Sequence, residues 1–463
     1  MGRRKKFRPP FEMFVERLGE RGVGVGRCEE LTVQVRGAAP GTTIEVQAGR
    51  TRRGVMNGRK LRLVDGGEGG VEPRCAVFGL CGGCTLQEID LQHQRVAKRE
   101  HVEGLFDLEG VRCHGISGAE APWEYRNKFE LTFGTKRYLS EEEMASGAPM
   151  GGRFVGFHAP GRFDRIVESP RCELMPEGLR KIVAVVKEWL ATSALKPWDV
   201  HTHEGFWRHL VLRETTTGER LVALYTAEPP EGAVEELRGL AEALPGVDGV
   251  LWYVNPRVAD AAIGDLREVL RGRDWIEERL LGLTFRLSST AFFQTNTPAA
   301  EVLYEVIRHA AVAVDPPERP NRTLLDLYCG TGSIGLSLAR DFEKIVGVEI
   351  NEEAVVDARA NAERNGVENA SFFAGAVREV AMELSAEVVV VDPPRAGLHP
   401  KVAQWLPRLP EVERIVYVAC KPGSLARDRE FLEAAGWRMT DLWCVDLFPQ
   451  TGHVEAVGLF QRV

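Results

Sequence analysis

From residue 323 onward the chain repeats one pattern: a short apolar run rich in β-branched residues, a turn, then a helical stretch. The runs are TLLDLY, IVGVEI, SFFAG, EVVVVD and RIVYVAC. Apolar runs without polar alternation need cover on both faces, and helices between them supply it in a doubly wound parallel sheet. The predicted fold class is therefore α/β over 291–463. Between two of the runs, NEEAVVDARANAERNG sets Val355, Ala358 and Ala362 at helical spacing, with Gly366 as a stop signal. Such sheets bind ligands beyond the carboxyl ends of their strands, so the residues at those ends are the candidates for chemistry.

The first run continues as LLDLYCGTGSIG (324–335), in which Gly330, Gly332 and Gly335 fit G-x-G-x-x-G. That pattern is shared by nicotinamide, flavin and S-adenosylmethionine sites. Glu349 closes the next run, 19 residues after Gly330, where a carboxylate can take ribose hydroxyls. Asp326 discriminates between the ligands. A carboxylate beside the loop repels a pyrophosphate but attracts the ammonium and sulfonium of S-adenosylmethionine. The segment is expected to bind S-adenosylmethionine.

Three further strand ends carry reactive groups. VVVVDPPRAGL places Asp392 after a run, with Arg395 where enzymes that methylate exocyclic amines have an aromatic ring. RIVYVACKPG ends on Cys420, at the rim where a thiolate can act as a nucleophile. FPQTGHVE brings His453 and Glu455 as another run begins. Carbon 5 of a pyrimidine is a poor nucleophile toward a methyl sulfonium. A thiolate adding to carbon 6 makes carbon 5 reactive, and a base must then remove the carbon 5 proton so that the thiolate can leave. One cysteine, one base and S-adenosylmethionine meet that need.

The N-terminal half reads differently. The chain carries −8 overall, yet residues 1–63 hold 15 basic against 6 acidic residues, a net +9 that leaves −17 on the rest. A basic head on an acidic body points to a polyanion such as nucleic acid. Residues 11–64 alternate short β-rich runs (LTVQV, TIEVQA, KLRLV) with glycine-rich turns such as RGVGVGR, which favours a small barrel, and GGEGG at 66–70 reads as a linker. From 71 to about 290 a mixed pattern predicts strands at FELTFG, HLVLRE, RLVALYT and GVLWYV, a helix at LRKIVAVVKEWLA, and an exposed loop over 136–153. DPPERPNR (315–322) reads as a further boundary. Nine cysteines, an odd number and clustered, do not suggest a disulfide scaffold. CAVFGLCGGC sets Cys75, Cys81 and Cys84 close together, and Cys172 in SPRCEL supplies a distant fourth; the spacing admits zinc or an iron–sulfur cluster. Cys28, Cys113, Cys329 and Cys444 read as packing residues. The N-terminus lacks an apolar leader and no run is long enough to span a bilayer, so a soluble, cytoplasmic protein is expected, with no obligatory protein partner evident.

Taken together, FFQTN (292–296), DLYCGTG, the DPPR turn, ACKPG and FPQTGHVE closely resemble the RNA uracil-5-methyltransferase family, nearly end to end. The resemblance implies methylation of uridine in transfer or ribosomal RNA, with Cys420 as nucleophile and Glu455 as the base. It implies Gln294, Tyr328, Ser333, Glu349 and Asp392 as cofactor contacts, beside Asp326 and Gly330 of the glycine loop. RNA cytosine-5-methyltransferases carry a second cysteine in the Pro-Pro turn, which is lacking here. The resemblance also implies an RNA-binding barrel of the TRAM type over 1–70, a central α+β domain over 71–290, and a [4Fe-4S] cluster on Cys75, Cys81, Cys84 and Cys172. The chain departs from the family at Lys421, where Asn is usual, and at Ser333, where some members have Asn. The alternative is an RNA-binding iron–sulfur protein with a non-catalytic methyltransferase-like domain; a nicotinamide oxidoreductase ranks third.

Overall fold

The computed structural model describes residues 9–169, 171–312, 322–380, 384–409 and 411–462. The first eight residues of the basic head, and all of DPPERPNR but its last residue, lie outside that set. The chain divides into two units, one formed by Met1–Pro73, Thr85–Glu120 and Pro298–Val463, the other by Arg74–Cys84 and Ala121–Thr297.

In the first unit, six strands between Phe11 and Asp65 form a sheet that closes on itself where Leu31–Arg36 pairs in parallel with Val55–Asp65. Met13, Val15, Val33, Val35, Ile44 and Val46 fill it. RGVGVGR (21–27), expected as a turn, forms most of the strand Val23–Cys28. Its glycines lie where neighbouring backbone crowds in: a Cβ on Gly24 would stand 2.3 Å from the Ala38 carbonyl oxygen. Glycine here permits close approach within a strand.

The same unit contains an eight-stranded sheet. Its five parallel strands run in the order Ala370–Ala374, Lys344–Glu349, Thr323–Leu327, Val388–Val391, Arg414–Ala419. The closing strand Glu455–Arg462 runs antiparallel beside Arg414–Ala419, followed by Trp437–Asp446 and then Arg112–Gly118. All five apolar runs form strands as expected, and helix Glu352–Arg364 ends with Gly366 at φ +63°. Because the closing strand is antiparallel, its first residue lies at the same edge as the last residues of the parallel strands. Val389, Val391, Ile415 and Tyr417 anchor the core beneath that edge.

The second unit is built on a seven-stranded sheet with a separate hairpin, Trp275–Leu280 and Leu283–Ser288. The four predicted strands lie in Lys128–Lys136, Trp207–Glu214, Arg220–Thr226 and Gly249–Val254, and the predicted helix is Glu177–Thr192. The loop expected over 136–153 contains the short helix Glu141–Ala145, with Ser140 and Glu143 forming a reciprocal capping box. Cys329 and Cys444 are buried as expected, but Cys113 is exposed on the edge strand of the eight-stranded sheet.

Candidate active site

The glycine loop leaves strand Thr323–Leu327 with Tyr328 in a left-handed conformation (φ +64°) and turns through Gly330 and Gly332 into helix Ser333–Ser337. Asp326 is fully buried below it, and one carboxylate oxygen accepts the Gly335 N–H at 2.9 Å. Its other oxygen, Oδ1, is buried without a hydrogen-bond partner. Burial, chiefly, pushes this carboxyl up to about 7, with Asp392 and Glu349 adding to the shift. A buried acceptor without a donor is costly, and a ligand ammonium would satisfy it. Glu349 accepts the N–H groups of Gly330 (3.2 Å) and Asn351 (2.9 Å), which fixes it at the mouth of the loop. Ser333 shares a 2.7 Å hydrogen bond with the buried Tyr304 hydroxyl, so the residue that departs from the family pattern is already partnered within the protein. These residues fit a ligand with a cationic amino-acid end and a ribose. The donor set suits S-adenosylmethionine.

Asp392, Cys420 and Glu455 meet at the next strand ends. Leu327 pairs with Val391, Val391 with Tyr417, and Ala419 with Ala456, so Asp392 follows one pairing while Cys420 and Glu455 flank another. Glu455 is buried, and burial together with the Asp392 charge pushes its carboxyl up to about 8. Asp392 is only partly exposed, and the protein packed around it pushes its carboxyl up to about 7. The Cys420 thiol, half-buried, is pushed up to about 11, first by burial and then by the charges of Glu455 and Asp392. Arg395 opposes that rise by its charge and by a hydrogen bond to the sulfur. The reading from sequence used Arg395 only to disfavour amine methylation. Its proximity to the thiol comes from the Pro-Pro turn, which no local pattern discloses.

Of the three, Cys420 lines an open cleft of about 410 Å³, with Arg395, Gly452 and His453 beside it and Glu20 and Arg21 of the barrel at its rim. The volume is within the range of ligand pockets, roughly 300–1,000 Å³. His453, read from sequence as a weak candidate, lines the cleft edge-on to Phe448. Gln294 belongs to the second unit, where its backbone carbonyl accepts a 2.9 Å hydrogen bond from the Asn127 side chain.

The four clustered cysteines all belong to the second unit and are half-buried. The turn Arg74–Cys84 is held by Phe78 N–H to the Cys75 carbonyl and Cys81 N–H to the Val77 carbonyl, and Gly83 N–H points at the Cys81 sulfur at 3.4 Å. Burial first, then the charges of Cys81 and Cys75, push the Cys172 thiol up to about 11. These three sulfurs therefore lie within electrostatic reach of one another. Among the described residues no three His, Cys, Asp or Glu side chains are gathered closely enough to hold a metal ion.

Residues 266–463 match a family model described as tRNA (Uracil-5-)-methyltransferase. An uncharacterized RNA methyltransferase of Caldanaerobacter subterraneus subsp. tengcongensis is 36% identical over 457 residues, covering 97% of this chain and 98% of the relative. A second, from Chlorobaculum tepidum, is 37% identical over 451 residues, covering 94% and 92%. Among solved structures, the Pyrococcus abyssi tRNA (uracil-54, C5)-methyltransferase in complex with S-adenosyl-L-homocysteine is similar with a TM-score of 0.75 at 27% identity, covering 97% of this chain and all of the other.

Proposed function

We propose, on the premise that this chain belongs to the tRNA (uracil-5-)-methyltransferase family of S-adenosylmethionine-dependent RNA methyltransferases, that it methylates carbon 5 of a uridine in structured tRNA or rRNA through Cys420 and Glu455. The observation that carries this reading is the pairing of Ala419 with Ala456, which sets the Cys420 thiol, on the wall of the cleft, beside the buried Glu455 carboxyl. S-adenosylmethionine, held by Asp326, Glu349 and the Gly330 loop, supplies the electrophilic methyl group. Gln294, Tyr328 and Ser333 are further contacts in this reading, with Asp392 between cofactor and base. Arg395 favours the Cys420 thiolate, which adds to carbon 6 and makes carbon 5 nucleophilic. After carbon 5 has gained the methyl group, ionised Glu455 takes its proton, the electron pair re-forms the C5–C6 double bond, and the C6–S bond breaks. A carboxyl pushed up to about 8 is well matched to proton transfer near neutral pH. The ring must be presented face-on to the thiol, so the nucleotide is expected to leave its stack.

The test replaces Cys420 by Ala and follows tritium release from carbon 5 of labelled uridine in RNA. Release falls to background if the reading holds, and unchanged release overturns it. RNA with 5-fluorouridine at the target traps a covalent adduct on the wild type and none on Cys420→Ala.

In the same reading the +9 barrel region binds RNA, and Cys75, Cys81, Cys84 and Cys172 hold a [4Fe-4S] cluster as a structural clip. A four-thiol donor set suits iron–sulfur ligation, and a four-iron cube holds its thiolates further apart than a single ion does. Anaerobically purified wild type is expected to carry four irons per chain with visible absorbance, and Cys172→Ala to lose both.

A further inference from the structure

Lys421 breaks two local rules. It occupies the N-cap of helix Pro422–Glu433 and makes no side-chain cap hydrogen bond there. Lysine is a poor N-cap, and a cation at a helix N-terminus opposes the backbone dipole. A side chain that is locally disfavoured yet lines the cleft directly after the nucleophile calls for a reason outside the helix.

The barrel supplies one. The turn at 19–22, between strands Phe11–Leu18 and Val23–Cys28, reaches the same cleft. Its place is fixed by a glycine–glycine contact: a Cβ on Gly452 would stand 2.2 Å from the Gly22 Cα, and one on Gly22 would stand 2.7 Å from the Gly452 Cα. The loop bearing Gly452 is itself braced, with Gly452 N–H donating to the Thr85 hydroxyl (3.1 Å) and the Gln450 carbonyl accepting from the N–H groups of Thr85 and Leu86. Arg21, at φ +60°, is thus held on the rim. Glu20 faces Lys421, with Oε2 3.9 Å from Nζ. Both side chains are exposed, Glu20 at 59% and Lys421 at 43%, so water screens the pair and a polyanion can displace the carboxylate. Of the other ionisable rim groups, Arg395 is a cation, and burial holds His101 below its ordinary value and therefore uncharged at neutral pH.

We propose that Lys421 and Arg21 together clamp an RNA backbone phosphate beside the target nucleotide, and that Glu20 holds Lys421 in place until the phosphate takes over. This rests on RNA being the substrate, as read above. Lys421 is a positioning residue, since it acts on the RNA backbone and not on the reacting ring. The barrel thereby supplies part of the substrate cleft itself.

The test compares wild type with Lys421→Asn, Glu20→Gln, Arg21→Ala and the Glu20→Gln/Lys421→Asn double variant, on whichever in vitro transcript, tRNA or 23S rRNA fragment, the wild type methylates. Lys421→Asn is expected to raise KM about fivefold to tenfold while kcat moves less than twofold, and to lower the slope of log affinity against log salt by about one. Arg21→Ala behaves alike. Glu20→Gln lowers KM about twofold to threefold, and this gain vanishes in the double variant. A fall in kcat without a KM change in Lys421→Asn, or a Glu20→Gln variant with unaltered KM, overturns the clamp. If the wild type methylates neither transcript and traps no fluorouridine adduct, the uridine reading fails by itself. Salt-dependent binding of the tRNA transcript then decides the clamp: it stands if the slope falls by one in Lys421→Asn and falls if the slope is unchanged.

Discussion

In the proposed reaction Glu455 and Cys420 have opposite needs, because the carboxylate that would accept a proton late in the reaction raises the thiol before it begins. Arg395, bonded to the sulfur, is the group that relieves this conflict. Replacing Arg395 by Gln is therefore expected to push the thiol above about 11 and to move the rising limb of the rate of fluorouridine adduct formation to higher pH, measured by gel shift between pH 6.5 and 9.5. Glu455→Gln keeps the thiol but removes the base. It is expected to build up a covalent complex even with ordinary uridine RNA, visible by denaturing electrophoresis, while methylated product release falls by two to four orders of magnitude, about the contribution of a general base. Asp392, Cys420 and Glu455 were legible as candidates because each abuts an apolar run, and Asp326 because it is the one charge within such a run just before the glycine loop; strand ends in this fold class share one edge. Arg395 was visible as a residue but not as a partner of the thiol, since that contact forms across a turn. Glu20 and Arg21 left no signal at all: they lie some four hundred residues from Lys421, and only the docking of the barrel turn brings them there.

At the scale of the element, helix Glu352–Arg364 links stability to the cofactor site. Its N-cap Asn351 accepts the N–H groups of Glu353 and Ala354, and its own N–H holds Glu349. Asn351→Ala is expected to cost about 1 kcal/mol in urea unfolding through loss of the cap, while the KM for S-adenosylmethionine changes less than about threefold because the backbone N–H that holds Glu349 remains. The five parallel strands were readable because burial on both faces forces continuous apolar runs. RGVGVGR misled because glycine marks both turns and close approaches, and distinguishing them needs the neighbouring strand. The cysteine turn is similar, in that spacing names the four thiols but does not give the distances between them.

For the molecule as a whole, three carboxyls, two buried and one partly exposed, carry a pH signature. Asp326 and Asp392 are pushed up to about 7 and Glu455 to about 8, against roughly 4 in an unfolded chain. The folded protein holds these protons to higher pH than the unfolded chain does, so their contribution to stability is complete below about pH 4 and is lost as pH rises through 7 to 8. Glu455→Gln is therefore expected to gain stability over the wild type as pH rises from 5 to 8.5, by on the order of 4 kcal/mol, read from denaturant melts. For the same reason S-adenosylmethionine, a cation beside these groups, should raise Tm more at pH 8 than at pH 6.

Strand Arg112–Gly118 pairs with Trp437–Asp446 across more than three hundred residues, and the buried Lys98–Asp446 contact at 2.5 Å ties the same two regions. Contacts this distant along the chain close late, since the entropy of so long a loop must be overcome first. That border of the eight-stranded sheet is therefore expected to assemble last, with its amides the last in that sheet to gain protection in pulse-labelled hydrogen exchange. Newly made protein would thus have its five parallel strands in order while this lateral margin of the sheet is still unzipped.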